Sequence, residues 1–226
     1  MIDPYRPGLR YPARSDREFD VLTRRHLKAV KEALKQCTVL IFTLGLTEGW
    51  VSQADGAVFP ACPGTIGGTF DPEQHAFHNF TIDEVREDLD AMIAEFRGMN
   101  RHARIILTVS PVPLVATATD RHVVAATTYS KAVLRVAAEH ATRHRDVVYF
   151  PAYEIVTSSA AGDDFFEPDR RNVSKRAVDT VMDAFLARCE TTSPPVPASP
   201  PAVAHAATLS QKIAEFKCEE AAQDAA

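Results

Sequence analysis

The sequence predicts an α/β fold with a mainly parallel sheet. Two observations carry this. Three short apolar runs, 39–44, 105–109 and 147–150, each end in a polar or proline-containing tip. Helical patterns separate them, and strands alternating with helices mark βαβ units. In open sheets of this kind ligands bind beyond the carboxyl ends of the strands. The tips at 45–50, 110–113 and 151–154 therefore outline a cleft.

The elements follow in order. Residues 1–15 are rich in Pro and Arg without periodicity and predict an extended arm. From 16 to 35, Phe19, Leu22, Leu27, Val30 and Leu34 recur at helical spacing, with Asp16 as the expected N-cap. A strand over 38–44 comes next. Residues 51–80 read as a long irregular loop with room for a short hairpin, and a loop of that length usually has a function. Thr81 and Glu84 stand in a capping box, where hydroxyl and carboxylate satisfy early helix amides. That helix runs to about Arg97, with Gly98 and Asn100 as stop signals. A strand over 104–109, a Pro-containing loop, a helix over about 121–143 and a strand over 146–150 complete the alternation. Val133, Leu134 and Val136 are the buried candidates of that helix. Residues 155–168 read as a polar loop. Ser174 caps a last helix in which Val178, Val181, Met182, Phe185 and Leu186 share a stripe. Residues 1–190 thus form one α/β domain. Residues 191–226 read as a Pro/Ala-rich, disordered linker with a short helix through Leu209, Ile213 and Phe216.

Bulk properties narrow the function. A 226-residue chain that is 46% hydrophobic can bury a core. Its net charge of −5 argues against a nucleic-acid surface and an anionic membrane face. No run reaches the roughly 18 apolar residues that span a bilayer, and residues 1–5 do not open a signal peptide. A cytoplasmic location is the expectation. Cys37, Cys62, Cys189 and Cys218 form no CxxC pair and read as free thiols. Cys62, His75 and His78 match no standard zinc spacing. No metal or cofactor is expected.

Several blocks, in one order, resemble the GSCFA family, a branch related to the SGNH hydrolases. They are Phe42-Thr43-Leu44-Gly45-Leu46-Thr47-Glu48-Gly49-Trp50, Phe59-Pro60-Ala61-Cys62-Pro63-Gly64 and Phe77-His78-Asn79-Phe80. Then come Leu107-Thr108-Val109-Ser110-Pro111-Val112-Pro113-Leu114, Ser130-Lys131, Tyr149-Phe150-Pro151-Ala152-Tyr153-Glu154 and Phe165-Phe166-Glu167-Pro168-Asp169-Arg170-Arg171. The resemblance covers about residues 3–188. It implies a three-layer α/β/α fold and a serine nucleophile in a Gly-Ser-Cys-Phe-Ala turn after the first strand. It also implies an Asp near the last helix and, in many relatives, a His three residues later. SGNH relatives cleave or transfer acyl esters, often on carbohydrates.

The chain departs from that pattern twice. No Gly-Ser step occurs anywhere, so the nucleophile turn, and by expectation the first strand, is missing. The expectation is then that Met1 is an internal methionine of a longer reading frame, or that the gene is a remnant. Asn172 stands where the His would follow Asp169, and asparagine cannot accept a proton at neutral pH. His26, His75 or His78 could supply the base instead.

The remaining site residues each carry two readings. Gly45 resembles the Gly of the SGNH Gly-x-Asn-Asp block, with Thr47 in the Asn place, so both are candidate oxyanion donors; otherwise they form a turn. Glu48 and Trp50 offer a polar and stacking wall for a sugar ring, although a lone tryptophan also fills cores. Asn79 offers donor and acceptor near the cleft, or simply serves a loop turn. Ser110 lies at a strand tip, but Pro111 and Pro113 oppose the sharp elbow a nucleophile favours. Ser130 and Lys131 are adjacent helix residues that point apart and read as surface. Glu154 is expected to pair with Arg170 or Arg171. Asp169 holds the inherited orienting position, or is a helix N-terminal acid. The resulting expectation is an SGNH-like ester hydrolase or acyltransferase domain for small-molecule or carbohydrate esters, inactive alone. The alternative is a non-catalytic carbohydrate- or protein-binding module. Loss of a central strand further predicts self-association through exposed strand edges.

Overall fold

The structure is a computed structural model that describes Asp3, Tyr5, residues 13–159 and residues 161–189. The predicted tail at 191–226 lies outside the described residues. Residues up to Asp183 form one unit. Its elements are α1 (Asp16–Gln36), β1 (Val39–Leu44), β2 (Glu48–Ser52), β3 (Val58–Phe59), β4 (His75–Asn79), α2 (Ile82–Met99), β5 (Arg104–Val109), α3 (Val123–Ala141), β6 (Val147–Tyr149) and α4 (Ala152–Thr157). The last helix, α5 (Lys175–Cys189), starts in the same unit.

The fold is α/β. Strands β1, β5 and β6 make a parallel sheet in the order β1-β5-β6, with Ile41 opposite Ile106 and Ile106 opposite Val148. A second, antiparallel sheet has the order β3-β2-β4. It corrects the reading of 51–80 as mostly irregular. Glu48, Gly49 and Trp50, expected in a turn, already belong to β2, and Asn79 ends β4 rather than sitting in a loop. Aromatic pairing across this ribbon, with Trp50 opposite both Phe59 and Phe77, stabilises it in the way cross-strand aromatic pairs do. The Tyr5 ring also stacks on Phe59 at 4.9 Å.

The core lies on one face of the parallel sheet. Ile105, Leu107 and Val109 alternate inward from β5 and meet Val85, Leu89, Ile93 and Phe96 of α2 and Val133, Leu134 and Ala137 of α3. That alternation is the period-two pattern of a strand. Val136, predicted buried, is exposed. It lies two residues past Leu134, about 200° around the helix. On the other face Ile41 and Val148 are 53% and 52% exposed. β1 is an edge strand among the described residues, and Val39, Ile41 and Phe42 are all exposed on it.

Local signals explain the helix ends. Ser15, not Asp16, is the N-cap of α1; its hydroxyl accepts from the Glu18 amide. Ser takes that place because its short hydroxyl folds back on the first turn, leaving Asp16 to face the positive helix end. The Thr81–Glu84 capping box forms as read. Asn100 closes α2, and its buried side chain donates to the carbonyls of Leu34 and Cys37 while accepting from the amides of His102 and Ala103. One amide thus locks the end of α1 to the entry of β5. Residues 152–157, partly read as loop, form α4 directly after Pro151. In α5 the buried position is Ala177, against Val156 and Phe165, so Val178 and Met182 of the predicted stripe stay exposed.

Candidate active site

The tip of β1 is pinned from α3. Lys131 and Ser130, expected on the helix surface, are 1% and 0% exposed. The Lys131 ammonium donates to the Gly45 carbonyl at 2.8 Å. The Ser130 hydroxyl lies 2.7 Å from the Thr47 hydroxyl and accepts from the Thr47 amide. Thr47 in turn donates to Asn79 Oδ1 at 2.7 Å, which ties the β1 tip to the end of β4. Adjacent helix residues do point apart, but here each reaches a different part of the same buried turn. The missed signal was position. Ser130 falls four residues after Ala126 and four before Leu134, on the core face of α3.

Burial also sets the charge of Lys131, pulling its pKa down from 10.5 to about 8. Thr47, 1% exposed, has its hydroxyl proton on Asn79 and its amide on Ser130. Neither group is left to hold an oxyanion in this arrangement. Gly45 is exposed, with nothing within 4 Å of where a Cβ would stand. Ser110 donates its amide to the Leu44 carbonyl, so the tips of β1 and β5 are adjacent, and its hydroxyl accepts from the Val112 amide in a local turn.

Beyond these tips a cavity of about 350 Å³ opens between the antiparallel sheet and the loop leading to α3. Trp50, Phe59 and Phe77 form its aromatic wall, and Leu114 and Ala116 face them. Trp50 meets Phe77 and Phe70 edge-on at 5.7 and 5.1 Å, so it both packs and lines the cavity. Glu48 holds the loop in place, accepting from the Thr117 hydroxyl at 2.6 Å and the Ala118 amide at 3.1 Å. Cys62 lines the same cavity, and burial pushes its thiol up.

A family model described as the GSCFA family matches residues 5–185. The chain belongs to the GSCFA family. That membership suggests a hydrolase-like domain. No curated protein sequence matches the chain.

Asp169 is not among the residues lining this cavity. Asp169 Oδ1 accepts from the amides of Arg171 and Asn172, and Oδ2 accepts from the Asn172 side chain. Those backbone amides hold its carboxyl below the usual carboxylate range. Asp169 and Asn172 are therefore brought together, in an exposed turn. Among the described residues no hydrogen bond joins that turn to Gly45, Thr47, Glu48, Trp50, Asn79 or Ser110. Two of the candidate histidines are engaged elsewhere: His78 bonds Glu84 at 2.8 Å and His75 Nδ1 accepts the Asp71 amide, while His26 lies on α1. Glu154 does not pair with Arg170 or Arg171. It accepts from Arg135 and from Tyr149, with the guanidinium 4.0 Å over the Tyr149 ring. Arg135 comes from α3, and its place over the Tyr149 ring of β6 sets it beside Glu154.

Among the described residues no helix is long and apolar enough to cross a membrane.

Proposed function

We propose that this GSCFA domain carries the substrate side of an SGNH-type ester-hydrolase or acyltransferase site for O-acyl carbohydrate, and that the 226-residue chain has no acyl turnover by itself. The cavity beyond the β1 and β5 tips carries the reading. Its aromatic wall suits the apolar face of a sugar ring, and Glu48 keeps spare lone pairs for sugar hydroxyls. The reacting groups are what the chain lacks. Acyl transfer needs an activated nucleophile with a base in reach. The sequence holds no Gly-Ser step, the Ser110 hydroxyl accepts from the Val112 amide with no histidine bonded to it among the described residues, and Ser130 is buried on Thr47. Asn172 stands beside Asp169 and cannot relay a proton.

A second reading, a non-catalytic carbohydrate-binding module, is favoured by the closed bonding of Asp169 within its own turn. One titration separates the two. An O-acetylated oligosaccharide and its deacetylated form are added to the full chain while the fluorescence of Trp50, the single tryptophan, is followed. Quenching selective for the acylated sugar supports the esterase-type site. Equal quenching by both supports the binding module, and no quenching by either at millimolar sugar refutes both.

A single domain over 1–190, a cytoplasmic location and self-association belong to the same proposal. The β1 edge, unpaired among the described residues, and its exposed Val39 and Ile41 support the last of these.

A further inference from the structure

A larger cavity, about 660 Å³, lies at the opposite end of the parallel sheet, where β5 and β6 begin. Four arginines line it, Arg97, Arg101, Arg104 and Arg145, together with His102 and His144. One lining carboxylate is Asp146, and Asp90, outside the lining, reaches His144. Asp146 pairs with Arg145 at 3.2 Å, and Asp90 bonds His144 at 2.7 Å. Arg97 spends its fork on the carbonyls of Ala103, Arg145 and Asp146 and brings no carboxylate with it. Arg101 and Arg104 make no ion pair among the described residues. Four guanidiniums concentrated at one cavity of a chain with net charge −5 are a local reversal of its field.

The floor of this basin is built. Ile93 is buried beneath it, and Asp146 is held at φ 58° with its carbonyl accepting from Ile105 and Arg97. A left-handed, non-glycine residue is uncommon and fixes the direction of the loop into β6.

We propose that this basin binds a small polyanion carrying two or more clustered tetrahedral oxyanions, phosphate or sulfate. Guanidinium forks match such oxygens two at a time, and several forks around one concavity select a clustered ligand over a single ion. The free forks are Arg101 and Arg104. Arg97 and Arg145 supply positive charge from fixed positions. The site is independent of the cavity beside Trp50 and of any acyl chemistry.

The test is calorimetric titration of the full chain at fixed ionic strength with tripolyphosphate, sucrose octasulfate and orthophosphate. At least one of the two polyanions is expected to bind tenfold or more tighter than orthophosphate. Binding of both marks the shared oxyanion chemistry, and binding of one alone names its source. The double variant Arg101→Gln/Arg104→Gln is expected to weaken that binding at least tenfold. A control pair on α1, Arg24→Gln/Arg25→Gln, should leave it unchanged. Should the basin variant fail to fold, phenylglyoxal labelling of the wild-type chain replaces it, with Arg101 and Arg104 protected by the polyanion. The proposal is overturned if neither polyanion outbinds orthophosphate, if the folded basin variant binds as well as wild type, if the control weakens binding equally, or if the labelling shows no protection.

Discussion

Replacing Lys131 by Met should remove a pH dependence that wild type shows between pH 7 and 9.5. Unfolded, this lysine titrates near 10.5; folded, it titrates near 8. Between those values the unfolded chain holds a proton that the folded chain has released. Stability therefore rises with pH across the window, and the contribution is absent below pH 7, where both states are protonated. Integrating from pH 7 to 9.5 gives about 2 kcal/mol. Cys62 acts in the opposite direction. Its thiol is raised by burial, so stability is lost as the unfolded thiol ionises, in wild type and variant alike. The difference between the two proteins isolates Lys131. Urea denaturation at pH 7.0, 8.0, 9.0 and 9.5, followed by Trp50 fluorescence, measures it. The variant should gain on wild type at pH 7 and lose that relative advantage by about 2 kcal/mol at pH 9.5. Parallel curves for the two proteins would refute the assignment of a buried, titrating ammonium at the Gly45 turn.

Three further outcomes follow from the packing. Asn100→Ala should cost about 2 kcal/mol or more in chemical denaturation, because the carbonyls of Leu34 and Cys37 lose their donor where α1 meets β5; a loss below 0.5 kcal/mol, taken as roughly the scatter of surface substitutions, would contradict the junction. Thr108→Val should raise the melting midpoint, with a gain of about 1 kcal/mol, since the buried Thr108 hydroxyl has no partner among the described residues; destabilisation would show that the hydroxyl is satisfied. Glu48→Gln should weaken the hold on Thr117 and Ala118 and speed proteolysis within 114–118, while the melting midpoint of the core moves little; cleavage at the wild-type rate would count against the latch.

Much of this architecture was legible because local rules and tertiary packing agree. The three parallel strands are continuous apolar runs, and the Thr81–Glu84 box has a sequence signature that tertiary structure left intact. The antiparallel sheet was harder. Its strands are as short as Val58–Phe59 and alternate Gly, His and Asn with aromatics, so period and propensity are both weak. The candidate residues are only partly brought together. Trp50 and Glu48 do face one cavity, and Asp169 does sit with Asn172. Lys131 was hidden because a charged residue on a helix is usually solvated. Only the arrival of the Gly45 carbonyl makes its burial affordable. Arg135 on Glu154 was equally invisible, since a contact between α3 and the β6 tip depends on how the helix lies against the sheet.

The central claim is that these residues frame an acyl-ester cleft without the hydroxyl that would react. Hydrolysis of p-nitrophenyl acetate by the purified chain, set against a heat-denatured control and a Ser110→Ala variant, tests it most directly. The account predicts that wild type and variant release nitrophenol no faster than the denatured control. Catalytic release by the folded chain would contradict it: release lost in Ser110→Ala would make Ser110 the nucleophile, and release that survives it would assign that role to another residue of this chain.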